Sequence, residues 1–525
     1  MAVDEQELIA PLPPIDVGYK GADRNTRTLN RFKPKMMTPE KAIAEDHDVL
    51  IGRVNDLHRN NGLVAGALRK ITDKVIGHQF LLDLRPDYDT LGISREVATD
   101  WSLSVARRWN AYALGRDNQI DASRRMNFVG LLRAGYGSFW LNGDMFLTRE
   151  FFADQINKRD AGKAATCFSL IDPDRICDPK NQAEMQSQDI RRGVHVNDFG
   201  QALGYWLASR SEYGIAKKGF GQIGYKYIPR RNENFLNVIH MFEVATGGTQ
   251  SRGVSRLASI VERVKQTDRM TTAELEAAIA NAMLSYYIKS DYGPESAYQA
   301  LGAQEGGAAR QQMEYRAEWA RMSPVEHDGN KLLHLYLGED VGQLKGERGA
   351  SIIGEFNKEM KREISSAMGA SYSSATNDWT AASFASLKAE LAEEWSRVLS
   401  ERETVVIPAA TLMFQAWLDE MILRKIIVTP AGMNYMENRE FLTRCRWIGA
   451  AKPVFDSTSE ATAQNIKLAN KSISPYQVAL EGGYELREVL DDHKEFNDEL
   501  FKRELTVTSL SQQSVNQAGQ TGQNI

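Results

Sequence analysis

Between Ser255 and Lys289 the chain runs for roughly 35 residues without proline or glycine, straight after the glycine-rich turn of Gly247, Gly248 and Gly253. Apolar residues recur at Leu257, Ile260, Val261, Val264, Leu275, Ile279, Met283 and Tyr286, mostly in steps of three, four or seven. That period lays one stripe along one helix face. An uninterrupted helix of this length spans ~50 Å, longer than most compact folds need. Glu262, Lys265, Arg269 and Glu276 fall on other faces, free to pair elsewhere. A stripe narrower than half the helix suits burial against a neighbouring copy or within a bundle.

The remaining pattern is helical with one β-rich interval. Residues 49–77 read as helices on either side of a break at Asn60, Asn61 and Gly62, and 94–114 and 121–142 add more helix. Trp101, Val105 and Trp109, at steps of four, read as core. From 143 to 244 the period becomes strand-like, in short runs separated by Gly, Pro, Asp and Asn. Helices are expected at 350–368 and from Phe384, the latter with a stripe of Phe384, Leu387, Leu391, Trp395, Val398 and Val405. Pro408 should kink or break it before a further helix at 409–427. Ser474, Pro475 and Gln477 make a capping-box helix start. The fold class is α+β, mainly helical. Residues 1–48, with five prolines and a basic run from Arg24 to Lys35, read as an extended arm. The uncharged, glutamine-rich 506–525 reads as a disordered tail.

Chemistry is sought and not found. Gly219, Gly221 and Gly224 match a dinucleotide fingerprint by letter, but a strand ending at Pro229 follows where a helix is required, so the glycines read as a turn. Asp172 and Asp174 flank Pro173 after an apolar strand end and also read as a turn rather than a metal site. There is no GxxxxGK[ST], HExxH, CxxC or GxSxG run, and His195 and His240 sit in expected strands as packed or surface residues. No catalytic, cofactor or metal site is expected. Cys167, Cys177 and Cys445 are too few for a disulfide framework and suit a reducing compartment. The N-terminus lacks a hydrophobic export core and no run looks long and apolar enough to span a bilayer, so no membrane contact is expected. A formal net charge of −5 argues against tight, static gripping of nucleic acid by the chain as a whole.

The order of these elements resembles the portal proteins of tailed bacteriophages, the lambda-type family in particular, over roughly residues 50–500. The resemblance rests on Arg59-Asn60-Asn61-Gly62 with the helix to Val75-Ile76-Gly77, and on Arg85-Pro86 leading to Leu91-Gly92-Ile93. It continues through Gly193-Val194, Asn197-Asp198 and Gly204-Tyr205, then Ile239-His240-x-Phe242-Glu243 and Gln250-Ser251-Arg252-Gly253. Ala367-Met368-Gly369-Ala370-Ser371-Tyr372 closes it, ahead of a Ser/Thr-rich loop.

What the resemblance implies is a non-enzymatic ring of about twelve copies at one capsid vertex. Double-stranded DNA would pass through it during packaging and ejection. The implied partners are a terminase packaging motor, major capsid and scaffold proteins and a head-tail adaptor. The implied location is the virion, after assembly in the host cytoplasm. Carried onto this chain, 49–254 becomes a wing, 255–289 a stem helix and 290–348 a clip facing motor and adaptor. Residues 349–369 become a second stem helix, 370–382 a tunnel loop, 383–428 a long kinked helix and 429–505 a crown. The DNA-facing loop would be Ser371, Tyr372, Ser373, Ser374, Thr376, Asn377, Asp378 and Trp379, small and polar with one acid to repel phosphate. Stem contacts between subunits would come from Leu257, Ile260, Val264, Leu275, Ile279 and Met283. A ring of about twelve copies at −5 each carries about −60, a field that lets DNA slide rather than stick. A nuclease or packaging ATPase lacks a visible phosphate cradle or metal cluster here. A shell protein seldom needs long helices around a polar loop and forms hexamers and pentamers rather than one closed ring.

Overall fold

The computed structural model describes residues 27–152, 163–179, 189–209, 224–233, 235–244, 247–283, 287–290, short pieces between 314 and 342, 350–380, 383–454 and 456–503. In chain order the helices begin with α1 (Pro39–Ala44), α2 (His47–Asn60) and α3 (Gly62–Val75). After strand β1 (Leu81–Leu84) come α4 (Tyr88–Leu91), α5 (Arg95–Ala113) and α6 (Phe128–Asn142). The β-rich interval holds β2 (Asp144–Phe151), β3 (Thr166–Ile171), β4 (Asp189–Arg191), β5 (Val194–Val196) and β6 (Ala202–Ala208). It continues with β7 (Tyr225–Pro229), β8 (Arg231–Asn232), β9 (Phe235–Leu236) and β10 (Val238–Phe242). Then follow α7 (Val261–Met283), β11 (Tyr287–Ser290), β12 (Glu326–His327), β13 (Asn330–Lys331) and β14 (Glu339–Gly342). The rest is α8 (Ala350–Met368), α9 (Tyr372–Thr376), α10 (Phe384–Glu401), α11 (Ile407–Leu423), α12 (Tyr435–Leu442), β15 (Cys445–Ile448), α13 (Ser457–Ala469), α14 (Pro475–Glu481) and α15 (Leu486–Lys502). The mainly helical α+β class is as the periodicities predict.

The chain forms two compact units, each discontinuous in sequence. The first comprises Met1–Gly52, Arg108–Val254 and Ala409–Thr429. Its strands make an antiparallel sheet in the order β10-β2-β3 and another in the order β4-β5-β6-β7. Register in the first sheet is set by pairs such as Ile239↔Leu147 and Leu147↔Leu170. Alternation turns Phe146, Ile171, Val194, Val196, Tyr205 and Val238 into one buried cluster with Ile176. A separate aromatic cluster surrounds Trp109, whose ring meets Phe128, Phe414 and Trp417 edge-on at 5.2–5.3 Å. Here Glu420, almost fully buried, accepts the backbone N–H groups of Ala165 and Thr166 at 2.7 Å each.

A charged group is sealed inside the same unit. Asp144 and Arg252 are fully buried and their side chains meet at 2.7 Å. The Arg252 guanidinium also donates to the carbonyls of Pro173, Ile176 and Arg192, so three of its hydrogens tie down chain turns. Asp144 accepts further from Gly253 N–H at 2.7 Å and His240 Nε2 at 3.0 Å. Burial opposes its charge, but Arg252 and these donors overcome it and hold the carboxyl well below the usual range. Gly143, at φ +88°, lets the chain turn into β2, and a side chain there would strike the backbone of Gly253 and Val254. This explains two quoted sequence features at once: Gln250-Ser251-Arg252-Gly253 and His240 are packing devices.

The expected arm at 1–48 is only partly accounted for. Residues 1–26 lie outside the described residues, but from Thr38 the chain is folded into the first unit rather than extended. Thr38 caps α1, and Glu40 on α1 accepts Arg192 Nε at 3.0 Å, Ser251 N–H at 2.9 Å and Ser251 Oγ at 2.8 Å.

The second unit comprises Arg53–Arg107, Ser255–Pro408 and Pro430–Ile525. The break at Asn60-Asn61-Gly62 is as read, with Asn61 capping α3 through Val64 N–H at 3.0 Å and its amide reaching Asp268 on α7 at 2.7 Å. Strand β1 pairs antiparallel with β15, Leu82 opposite Trp447, and Phe80 stacks on Trp447. The capping box at Ser474 and Gln477 forms as predicted. Within the interval 290–348 read as a clip, β12 pairs with β13, and β14 pairs with β11 at the end of the interval read as stem; most of the other clip residues, including most of 331–337, lie outside the description.

Two helix expectations are corrected. The 255–289 helix runs only from Val261 to Met283: at its start Ser255 Oγ accepts Leu257 N–H, and Ala258 and Ile260 make three-residue turn bonds instead, while at its expected end Tyr287–Ser290 is strand β11, paired with β14. Pro408 does not break its helix. The helix runs on from Phe384 to Leu423 through a π-helical turn at Arg402–Val406, where Ile407 N–H reaches back five residues to the Arg402 carbonyl. The wider turn absorbs the missing proline donor. Arg402 anchors that turn in the second unit by donating to the carbonyls of Lys74, Val75 and Ala450 at 2.6–2.9 Å. Burial pushes its guanidinium down to about 10. The resulting 40-residue helix is long and apolar enough to cross a bilayer, contrary to the sequence reading; with 67% of its apolar window buried in protein, it is a core helix.

Candidate nucleic-acid interface

The loop expected to be irregular between α8 and α10 is built around a helical turn. Gly369, at φ +75°, ends α8 in the left-handed conformation, with Gly369 and Ala370 N–H bonded back to Ser366 and Ser365. Ser371 then caps α9 by accepting Ser374 N–H at 3.2 Å. Asn377, at φ +60°, ends it in the left-handed region that asparagine tolerates.

Side chains from neighbouring helices of the same unit grip this turn. Lys70 Nζ, from α3, donates to the Ser374 carbonyl, and to Asn377 Oδ1 at 2.6 Å. One turn on, Lys74 Nζ donates to Ser374 Oγ at 2.9 Å and to Glu394 Oε2 of α10 at 2.6 Å. Burial, then the nearby Lys74 charge, pulls the Lys70 amine below its ordinary value. From α8, Arg362 lies over the Tyr372 ring, 5.5 Å from its centroid. The Tyr372 hydroxyl donates to Asp378 Oδ2 at 3.0 Å. Asp378 also accepts Thr380 Oγ1 at 2.6 Å and Thr380 N–H at 3.2 Å, which holds its carboxyl below the usual range, the Thr380 hydroxyl first. The outward rim is Asn377, Trp379 and Thr380, with Asp378 half-buried behind it. Trp379 is 48% exposed.

A family model described as phage portal protein, lambda family, matches residues 25–402. The chain belongs to that family. It is a phage portal protein, a structural component and not an enzyme. It is 29% identical over 459 residues to portal protein B of Escherichia phage lambda, covering 86% of this chain and 83% of that one. It is 27% identical over 456 residues to the portal protein of Escherichia phage N15, with the same coverage. Among solved structures, a chain from the neck of an empty gene transfer agent particle aligns at 13% identity and TM-score 0.45, covering 82% of this chain and 93% of that one. An HK97-family phage portal protein from Corynebacterium diphtheriae aligns at 12% identity and TM-score 0.25, covering 62% and 90%.

For this portal chain, the residues singled out from sequence divide. Ser373 and Ser374 are buried against their own unit, 5% and 8% exposed, so they are corrected from DNA-facing to packing positions. The reason is the helical turn, which points alternate faces inward. Ser371, Tyr372, Thr376 and Asp378 are half-buried, and Asn377 and Trp379 are exposed. Of the stem stripe, Leu257, Ile260 and Val264 are at most 4% exposed within their own chain, so they are not free to meet a neighbour. Leu275 and Ile279 remain 61% and 48% exposed, and the side chain of Met283 lies outside the described residues. Asp172 and Asp174 bracket the turn that was read for them, a short 3-10 segment at Pro173–Arg175. Gly219 and Gly221 fall outside the description. Lys70, Lys74, Glu394 and Arg362 were missed. The only sequence signal was Lys70 and Lys74 four residues apart on one helix face.

Proposed function

We propose that about twelve copies of this portal chain close into a ring at one capsid vertex, through which double-stranded DNA enters and leaves. The observation that carries the ring is the half-covered stripe of α7. Its N-terminal part is sealed by its own chain, while Leu275 and Ile279 stand 61% and 48% exposed among the described residues. A neighbouring copy covers them. Exposed Phe356 on α8 extends the apolar surface available to it. The loop between α8 and α10 faces the duplex with Asn377, Asp378 and Trp379, a rim without a basic side chain. Phosphate contacts by lysine or arginine would each release counterions and tighten binding; this rim offers none and favours passage. Residues 290–348 form the clip for the terminase motor and head-tail adaptor, and 429–505 the crown inside the capsid. Major capsid and scaffold proteins surround the ring, which is assembled in the host cytoplasm and carried in the virion.

Electron microscopy of the purified full chain, averaged down the symmetry axis, tests this reading. Closed rings with a hole wide enough for a DNA duplex are expected, and Leu275→Asp should abolish them. Small closed oligomers without a channel, or rings unaffected by Leu275→Asp, would overturn it.

A further inference from the structure

The rim of the loop, Asn377, Trp379 and Thr380, carries no positive side chain of its own; Arg362 of α8, over Tyr372, is paired with Glu359, and two lysines sit directly beneath the rim. We propose that Lys70 and Lys74 are positioning residues that hold α9 docked on α3, and that Glu394 keeps the Lys74 charge turned away from the channel. This rests on the DNA-facing reading of the loop only in its second half; the docking is a property of the single chain.

A helix of five residues such as α9 cannot hold itself together in water, because nucleation costs more than its few bonds return. Its last carbonyls also have no partner in the helix. Lys70 supplies donors to one of those carbonyls and to the Asn377 side chain just past the end, where a cation also suits the negative pole of the turn. Lys74 secures the middle of the turn at Ser374 Oγ. The two ammonium groups therefore fix both the depth of α9 and the direction in which Asn377, Asp378 and Trp379 project.

Glu394 completes the arrangement. Its side chain is 7% exposed and lies 2.6 Å from Lys74 Nζ, so the lysine's charge is neutralised at the base of the loop. A polyanion passing the rim meets Asn377, Trp379 and Thr380, while the nearby cations are occupied: Lys70 by carbonyls and the Asn377 side chain, Lys74 by a hydroxyl and a carboxylate, and Arg362 by Glu359. Were Glu394 neutral, Lys74 would hold one uncompensated charge beside Lys70, and the loop base would become a phosphate-attracting point repeated around the ring.

The test uses assembled full-length rings of the wild type and of Lys70→Met, Lys70→Arg and Glu394→Gln. By hydrogen exchange without DNA, Lys70→Met should make amides 372–380 exchange about tenfold faster, with α3 and α10 protected as before and Lys70→Arg restoring protection. Unchanged exchange in the loop, or faster exchange spread evenly over α3, α9 and α10, would overturn the positioning role. Glu394→Gln should steepen the fall of DNA retention with salt by about one phosphate contact per subunit engaged. An unchanged salt slope would overturn the charge-shielding role. A photocrosslinker placed at Trp379 separates the two readings. Channel DNA captured there supports the loop's orientation; no capture, with the exchange results intact, leaves the docking standing and removes the DNA-facing reading.

Discussion

The two charged clusters of this chain use the same chemistry to opposite ends. In the first unit, Arg252, Asp144 and His240 are sealed from water, and the hydrogen bonds of the guanidinium go to a carboxylate and to carbonyls of turns while its face lies over the Phe146 ring. In the second unit, Lys70, Lys74 and Glu394 make a similar set of charge-assisted bonds, but at the base of a loop whose rim is open to solvent. A fully buried cluster is strong chiefly in what it costs to break, since a stranded charge cannot be rehydrated. A half-exposed clamp loses less when broken, because water replaces the missing partner. The first arrangement fixes a fold; the second sets the position of a part.

Arg252→Met would test the comparison at its largest effect. It strands the buried Asp144 and removes donors from several carbonyls, and should cost about 3–5 kcal/mol of unfolding free energy in denaturant titrations. Lys74→Met, by contrast, should cost about 1–2 kcal/mol and change local exchange near α9 more than the global midpoint. Equal losses from the two variants would erase the distinction.

Acid should separate the clusters without mutation. Asp144 is held well below the ordinary aspartate value, so the stability it contributes is present above that value and is lost as pH falls through its folded value. His240 is pushed below 6.5 by burial, and stays neutral in the folded chain while the unfolded chain takes up a proton. His47, also buried in the first unit, shifts the same way for the same reason. The sign is the same for all: stability of the first unit falls from about pH 6.5 downward and more steeply below about pH 4. Lys70 is lowered from 10.5 and remains charged across pH 5 to 8, so protection of the loop amides should be flat over that range. Hydrogen exchange against pH, read separately for β2 and for α9, measures both. The smallest effect is expected of Trp379→Ala, within about 0.5 kcal/mol for stability because the side chain is half exposed. A larger loss would mean that Trp379 braces the loop rather than projecting from it.

Much of this architecture was legible because it is local. The break at Asn60-Asn61-Gly62, the Ser474 cap, the change of period at 143 and the start of α10 each depend on residues within one or two turns, where side-chain and backbone groups compete directly. The stem stripe was legible as a period but not as a surface. Leu257 and Leu275 have the same letter and the same phase, yet one is buried and the other 61% exposed, since burial depends on what lies opposite. The Ser/Thr-rich loop failed for a related reason: small polar residues suit both a solvated connection and a capped turn, and Lys70, 304 residues from Ser374, decided between them.

By itself the sequence determined the class of the chain, its helical and strand intervals, and its membership of the portal family through a match spanning 25–402. Those follow from periodicity, capping and residue order, all properties of neighbours along the chain. Only the tertiary structure decided that Pro408 sits in a continuous helix, that Ser373 and Ser374 face inward, and that Gln250-Ser251-Arg252-Gly253 locks a buried charge. Each of these depends on partners distant in sequence, whose contribution is set by distance and exclusion of water, neither of which is written in the order of residues.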